Sequence, residues 1–409
     1  MSIGIIGAGT AGLHLSLFLQ QQGVDLTLYA ERPADEVRGG RLPATVAHHH
    51  HTRARERDLG VAHWDGVGPD AIGHWHYFGG EHPLEFPGYF SNPSMAVDYR
   101  LYLPTLLEDF EARGGAVAYG GIEVGDLSKL GAQHDLVVVS TGRGGFADVF
   151  PKVAGRSPFD QPARRLSAGI YTGVSLRDPQ FVTFNVSPGH GEVIEIPIHT
   201  FEGNQTVILF ECIPGGDLEV LAATPYTDDP KAYERLVLDK IRTHAPPIFE
   251  RAVETDFELT RPDSIVQGAV TPTVRESFAA LDSGKIAIAL GDAHVVPDPV
   301  VGQGANGASF AARALGEAIL DGGPYDAAFC RRVDEQRLPF VLGIFDWTNF
   351  MLAPQPHLFE LVGAMSQNRA LVDDFTDNFN RPDLQWKHIG TPEATAQYIA
   401  AFAPVGDTA

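Results

Sequence analysis

The first thirty residues constrain this chain more than any other stretch. Ile3-Gly4-Ile5-Ile6 is a short apolar run that feeds directly into Gly7-Ala8-Gly9-Thr10-Ala11-Gly12. Leu13 to Leu19 then carries apolar residues at helical spacing, and Gly23 stops it. Val24 to Tyr29 reads as a second strand, with Glu31 and Arg32 at its end. Strand, Gly-x-Gly-x-x-Gly, helix, strand and acid together predict a dinucleotide-binding unit. Gly7 permits the tight turn, Gly9 lets a pyrophosphate approach the backbone, and Gly12 lets helix and strand pack closely. The helix start at Thr10 and Ala11 offers N–H donors and partial positive charge to phosphates, while Glu31 accepts from ribose hydroxyls. The motif alone does not separate FAD from NAD.

The rest of the composition narrows the setting. Glycine and proline number 44 and 29 of 409 residues, below the fraction that signals disorder. The net charge of −22 repels phosphate backbones and anionic lipid, which argues against nucleic-acid and peripheral-membrane roles. Cys212 and Cys330 are the only cysteines. They have no metal-type spacing and read as buried thiols in a reducing cytoplasm. No basic, apolar leader precedes the first strand, and no apolar run approaches the ~20 residues of a membrane span.

Further along, Arg38-Gly39-Gly40-Arg41-Leu42-Pro43 is a loop leading to His48-His49-His50-His51. Adjacent histidines cannot all face one ion and no Cys or carboxylate cluster lies nearby, so the run reads as a partly exposed polar segment and not a metal site. His48, nearest the apolar residues, is the one placed to face a pocket. The aromatic stretch from His63 to Phe90 suits a cavity wall and an ordinary sheet core equally well. Asp98 to Arg113 predicts an amphipathic helix, and Arg100 at its start could hold a phosphate bidentately. Asp135 to Gly142 is a β-branched run of the kind a parallel strand buried on both faces requires. From about Lys152 to Asp263, strand-like segments (Leu166–Leu176, Phe181–Val186, Glu192–His199, Gln205–Glu211) and one helix (Asp229 to Ala245) predict an antiparallel sheet inserted into the nucleotide-binding fold.

The chain then returns to its first theme. Ile286 to Asp292 is a strand ending in Gly291-Asp292, followed by Pro297 to Asn306 and an Ala/Leu-rich helix. Gly302, Gln303 and Gly304 at that helix start make a second anion-favouring end, and Asp292 suits hydroxyls. Two helix starts and a polyol-binding acid suit a ligand longer than an adenine dinucleotide half, which points to FAD.

These residues carry a family resemblance. Gly7–Gly12 with Leu13-His14-Leu15, Arg41-Leu42, Thr45-Val46-Ala47-His48 and Ala96 to Tyr102 are similar to the flavin-dependent styrene and indole monooxygenases of the p-hydroxybenzoate-hydroxylase-like fold. So are Ser187-Pro188-Gly189-His190-Gly191-Glu192, Asp217 to Ala222, Asp298 to Asn306, Trp347 to Phe350, Asp373 to Asn380 and Phe402-Ala403-Pro404. The resemblance runs over nearly the whole chain. It implies an α/β (α+β) architecture: a discontinuous Rossmann-like FAD-binding domain (1–45, 90–151, 265–325), a β-sheet substrate domain (46–89, 152–264) and C-terminal helices (326–409) over the active site. It implies an oxygenase component to which an NADH-dependent flavin reductase supplies reduced FAD. With O2 the flavin forms a C4a-hydroperoxide that epoxidises styrene-type alkenes, or oxidises indole or a thioether. The cofactor carries the chemistry, so no protein acid, base or nucleophile is assigned.

By the same resemblance, Arg41 lies near the flavin ring, Pro299 lies against it, and the backbone of Gly302, Gln303, Gly304, Ala305 and Asn306 meets it. Gly7 to Gly12, Glu31, Arg32, Arg100, Val124, Gly291 and Asp292 hold the remainder. Ala44, Val46, His48, Ala71, His74 and Ser94 are expected in the substrate pocket. Val46, His48, His74 and Ser94 look like the styrene branch, whereas Ala44 and Ala71 replace the Asn and Tyr usual there. Hydroxylases of the wider fold that use NADPH directly carry an Asp-Gly element, and Ser140-Thr141-Gly142-Arg143 lacks that aspartate. A homodimer is compatible with the resemblance.

Overall fold

Ile3, Ile5, Leu136 to Val139 and Ala287 to Leu290 are fully buried, as residues of strands covered on both faces must be. The computed structural model describes residues 1–142 and 145–403, and these strands lie together in it. β1 (Ser2–Ile6), β2 (Asp25–Ala30), β3 (Ala116–Tyr119), β4 (Leu136–Val139), β5 (Phe278–Ala280) and β6 (Ile286–Ala289) form one sheet in the order β5-β6-β4-β1-β2-β3. All neighbours are parallel except the edge pair β5–β6. Ile5 is paired with Leu28 on one side and Val138 on the other.

Four helices matter for the site: α1 (Thr10–Gln21), α2 (His50–Leu59), α3 (Tyr99–Ala112) and α4 (Gly304–Leu320). α1 and α4 pack so closely that a Cβ at Gly316 would overlap the Phe18 ring. α3 starts where the Asp98 carboxylate accepts from the Arg100 N–H at 2.9 Å, and it stops before Gly114 at φ +84°. These elements belong to a unit made of Met1–Asp65, Val97–Gln161 and Thr271–Phe345. The stretch from Val46 to Asp65, expected in the substrate domain, belongs here because Asn306 of α4 holds it in place, as described below.

The second unit comprises Gly66–Ala96, Pro162–Val270 and the residues from Asp346 on. Its sheet runs Glu258–Leu259, Arg165–Thr172, Gly203–Cys212, Gly191–Thr200, Val182–Ser187, Ala71–Phe78, Leu84–Val97. It is largely antiparallel, as expected, with Val182–Ser187 and Ala71–Phe78 a parallel pair. The strand expected to reach Leu176 ends at Thr172. Gly173 has φ +78°, and a Cβ there would lie 2.6 Å from the Asp256 backbone. Helix Pro230–His244 lays Tyr233, Val237 and Ile241 on Tyr171, Ile208 and Phe210. The C-terminal helices, which the resemblance set apart as a third region, are part of this unit: Asp373 accepts from the Tyr89 N–H at 2.9 Å and Asp377 from the Ser91 N–H at 2.9 Å. Cys212 and Cys330 are buried free thiols. No helix among the described residues is long and apolar enough to cross a membrane.

Two strings read from the sequence meet in this unit. His244 bridges the Ser187-Pro188-Gly189-His190 turn and Asp217: its Nδ1 is 2.7 Å from Ser187 Oγ and its Nε2 is 2.7 Å from Asp217. Lys240 Nζ takes the other Asp217 oxygen at 2.7 Å. The Lys240 and His244 hydrogen bonds hold the Asp217 carboxyl down to about 2. A depressed folded-state pKa contributes stability that is present above the ordinary carboxylate range and lost as pH falls through the folded value. Asp217→Asn is therefore expected to lower Tm at neutral pH. The gap from wild type should narrow between about pH 4 and pH 2, which a pH series of thermal melts will show.

Candidate functional site

Four consecutive parallel neighbours, with β6 beside them, turn their carboxyl ends to one edge of the first sheet. Gly7 follows β1, Glu31 and Arg32 follow β2, Val124 lies a short turn after β3, Ser140 follows β4, and Gly291 and Asp292 follow β6. The carboxyl edge of a parallel sheet is where such folds bind ligands. The expected cofactor residues are thus gathered by topology, although they come from three separate stretches of chain.

Close packing shapes this edge. Gly7 has φ +108°, and a Cβ at Gly12 would overlap the Gly7 carbonyl oxygen. Ser140 Oγ lies 2.8 and 2.9 Å from the carbonyls of Ile6 and Gly7, fixing the turn from the β4 side. Gly291, at φ +60°, sits beside Ala11, where its own Cβ would be 3.2 Å from that of Ala11. Gly9 differs: its φ is −84°, and a Cβ there would meet nothing within 4 Å. Gly302 and Gly304 face open space in the same way. Neither α1 nor α4 has a side-chain cap at its start, where Gly9 and Gln303 are the N-caps. Pro299 opens a short turn capped by Asp298, whose carboxylate accepts from Val300 N–H at 3.1 Å. Glu31, Arg41, Asp292 and Gly304 are exposed; Ala305 is half-buried and Gln303 fully buried.

Arg100, expected at a phosphate, is engaged at the start of its own helix. It is fully buried, and its guanidinium holds the Asp98 carboxylate, with Nη2 to Oδ2 at 2.6 Å and Nε to Oδ1 at 3.0 Å. The fork expected to grip a phosphate is engaged by the N-cap acid of its own helix. The six expected pocket residues divide between the units: Ala44, Val46 and His48 are in the first; Ala71, His74 and Ser94 are in the second. Ala71 pairs with Ser94 across two strands. His74 is packed edge-on against Phe90, Phe184 and Phe379 at 4.8, 4.9 and 4.1 Å, and Trp347 meets Phe379 at 4.6 Å. The aromatic stretch therefore builds a dense aromatic cluster in this unit.

The histidine run is not a polar surface segment throughout. His48 and His49 are buried at 5% and 4% exposure, and burial pushes His49 down to about 3. His48 belongs to a hydrogen-bonded circuit that sequence reasoning missed. Arg55 Nε donates to Ser309 Oγ (2.8 Å), which lies 3.0 Å from His14 Nδ1. His14 Nε2 is 2.6 Å from the Tyr102 hydroxyl, which donates to Glu56 at 2.7 Å. From the other side, Thr10 Oγ1 donates to the Tyr99 hydroxyl (3.4 Å), Tyr99 is 2.8 Å from His48 Nε2, and His48 Nδ1 is 2.6 Å from the same Glu56 oxygen. Because Tyr102 spends its proton on Glu56, His14 must donate from Nε2 and accept at Nδ1. Two chains of donors thus converge on one carboxylate that is 5% exposed.

Burial pushes Glu56 up, but His48 beside it and the Tyr102 hydrogen bond outweigh burial and hold the carboxyl below its ordinary value. Burial drives His14 down to about 3, so it is neutral. Arg55 also reaches Thr52 (3.1 Å), and Thr52 donates to Asn306 at 2.7 Å. Asn306 accepts from His49 N–H at 3.1 Å and donates to the carbonyls of Ala47 (3.0 Å) and Gly302 (3.2 Å). The circuit therefore joins the start of α1 to the start of α4. A histidine between two leucines on an apolar helix was the one sequence signal for it. Among the described residues no group of three or more His, Cys, Asp or Glu could hold a metal.

Comparison with known proteins decides the family. The chain is 45% identical to the styrene monooxygenase StyA of Pseudomonas fluorescens over 98% of both chains, and equally so to StyA of a Pseudomonas sp.. The chain belongs to the styrene monooxygenase family. Residues 142–251 match the family model described as "Styrene monooxygenase A putative substrate binding domain". Among solved structures, the flavin-dependent brominase Bmp2 has the same fold, with a TM-score of 0.69 at 17% identity over 98% of both chains. The family makes this an FAD-dependent monooxygenase, and the residues present fit FAD. Open space at Gly9, Gly302 and Gly304 admits a ligand against the backbone of two uncapped helix starts, with Glu31 and Asp292 exposed at the same sheet edge.

That contrast between glycines is testable. Gly12→Ala is expected to destabilise the ligand-free protein by ~1–3 kcal/mol through overpacking. Gly9→Ala should leave its stability within ~0.5 kcal/mol while weakening FAD binding at least about tenfold, or ~1.4 kcal/mol. Denaturant melts and flavin titrations of both variants check this.

Proposed function

We propose that this protein is the oxygenase of a two-component system that epoxidises a styrene-type alkene with O2 and reduced FAD delivered by a separate NADH-dependent flavin reductase. The observation that carries this is the full-length likeness to StyA together with the open glycine cradle on the carboxyl edge of the first sheet. Bound reduced FAD supplies the activation of O2. The chain's own residues hold and shield it. The N–H groups at Gly9 to Gly12 and at Gly304 to Asn306 receive its phosphates and the polar edge of its ring. Glu31 and Asp292 accept from its hydroxyls, Arg32 and Val124 flank the adenosine end, and Arg41 and Pro299 lie by the ring. Arg100 acts through Asp98, fixing the start of α3.

By the family likeness, Ala44, Val46 and His48 of the first unit, and separately Ala71, His74 and Ser94 of the second, are the residues proposed to face the alkene. Both curated relatives are styrene monooxygenases, which favours an alkene over indole. Buried thiols suit work in the reducing cytoplasm.

The test is anaerobic mixing of the purified chain with reduced FAD, followed by air and styrene. One equivalent of epoxide is expected without NADH or a reductase. Steady NADH oxidation by the chain alone, coupled to product, would overturn the two-component reading. A second measurement addresses the ribose acid. Glu31→Ala, at an exposed position, is expected to preserve the fold and weaken FAD binding by ~1.5–3 kcal/mol. An unchanged affinity removes Glu31 from the site.

A further inference from the structure

The circuit around Glu56 has a property beyond structural support. From Thr10 on one arm and from Arg55 on the other, each donor points toward Glu56, so these side chains are satisfied with one ionised carboxylate at their centre; from Arg55 to Thr52 and Asn306 the donors point outward. Each link between Glu56 and Tyr99 is 2.6–2.8 Å long, short enough for a proton to pass along it. The circuit ends at Thr10 on one side and at Asn306 on the other, the two helix starts assigned to the cofactor.

The proposed reaction has a fixed proton balance. Reduced flavin anion, O2, alkene and one proton become oxidised flavin, epoxide and water; one oxygen atom enters the alkene and the other leaves as water. A site that excludes water must draw that proton from a nearby group. We propose that Glu56 with His48 is a one-proton store for the oxygenation, loaded when the anionic reduced cofactor binds at the two helix starts and discharged during turnover.

The charges around the store support this direction. α1 contributes neutral His14; α2 contributes Arg55 and Asp58; α3 contributes Tyr99 and Tyr102; α4 contributes Arg313, paired with Asp58 at 3.0 Å. His49 flanks His48, and Asp292 acts on Tyr99 from the turn after β6. Arg55 and Arg313 lie on the His14 side, balancing Glu56. A new negative charge at the Thr10 and Asn306 ends is unbalanced, and like charge raises proton affinity.

The proposal rests on the reduced-FAD reading, and the experiment separates the two. Pre-reduced FAD is titrated anaerobically into the full-length protein at about pH 8, where the free reduced flavin is already an anion. Calorimetry in two buffers of different ionisation enthalpy counts the protons taken up. Wild type should take up about one proton more with reduced than with oxidised FAD, and Glu56→Gln about none. Equal uptake in both proteins, or none in wild type, overturns the store while leaving the flavin site standing. Failure of wild type to bind reduced FAD overturns both.

Should Glu56→Gln not fold, wild type alone decides. Uptake of one proton makes the Kd for reduced FAD rise about tenfold per pH unit across the range where the store titrates. A flat profile from about pH 7.5 to pH 9, where the free reduced flavin stays an anion, overturns the store. Tyr102→Phe removes one donor to the carboxylate, so it should keep the stoichiometry and move the uptake midpoint to higher pH. A purely structural role would leave that midpoint unmoved.

Discussion

The approach of α1 to the turn after β1 is the contact on which the first unit depends. Gly12 has no room for even a methyl group beside the Gly7 carbonyl, so the helix enters the sheet edge closer than any other residue would allow. Ser140 of β4 grips the same turn, and Gly291 brings the loop after β6 against Ala11. Three distant stretches of chain therefore converge within a few ångströms of one helix start. The anion-favouring end of α1 becomes a site because these contacts fix it there while leaving Gly9 open.

The second requirement is electrical. A carboxylate as buried as Glu56 is costly unless hydrogen bonds and charge compensate it. The structure meets that cost with side chains from α1, α3 and the segment before α2, which orients His48 and places Asn306 over the Gly302 loop. Replacing one member leaves its neighbours with the wrong number of donors, so the network specifies a single arrangement of the loops it joins.

The second unit has a different logic. Its sheet is held by strand pairing and by a helix laid across one face, and its polar links are clamps at turns, such as His244 between Ser187 and Asp217. His74 sits among aromatic rings, where edge-on packing fixes its orientation.

The sequence by itself determined the dinucleotide-binding unit, the returning strand at Ile286 to Asp292 and the inserted sheet. Hydrophobic period, glycine spacing and chain-adjacent acids are local properties, and they survive without knowledge of the fold. Its motif strings also carried the family. Only the tertiary structure decided that Arg100 is engaged by Asp98, that His48 and His49 are buried, and that the C-terminal helices join the unit of the inserted sheet. Glu56 and Ser309 were equally invisible, since partners 8 to 295 residues apart leave no periodic trace. An arginine beside an aspartate reads the same whether it serves a phosphate or its neighbour. What separates the two is burial, and burial is a property of the packed chain.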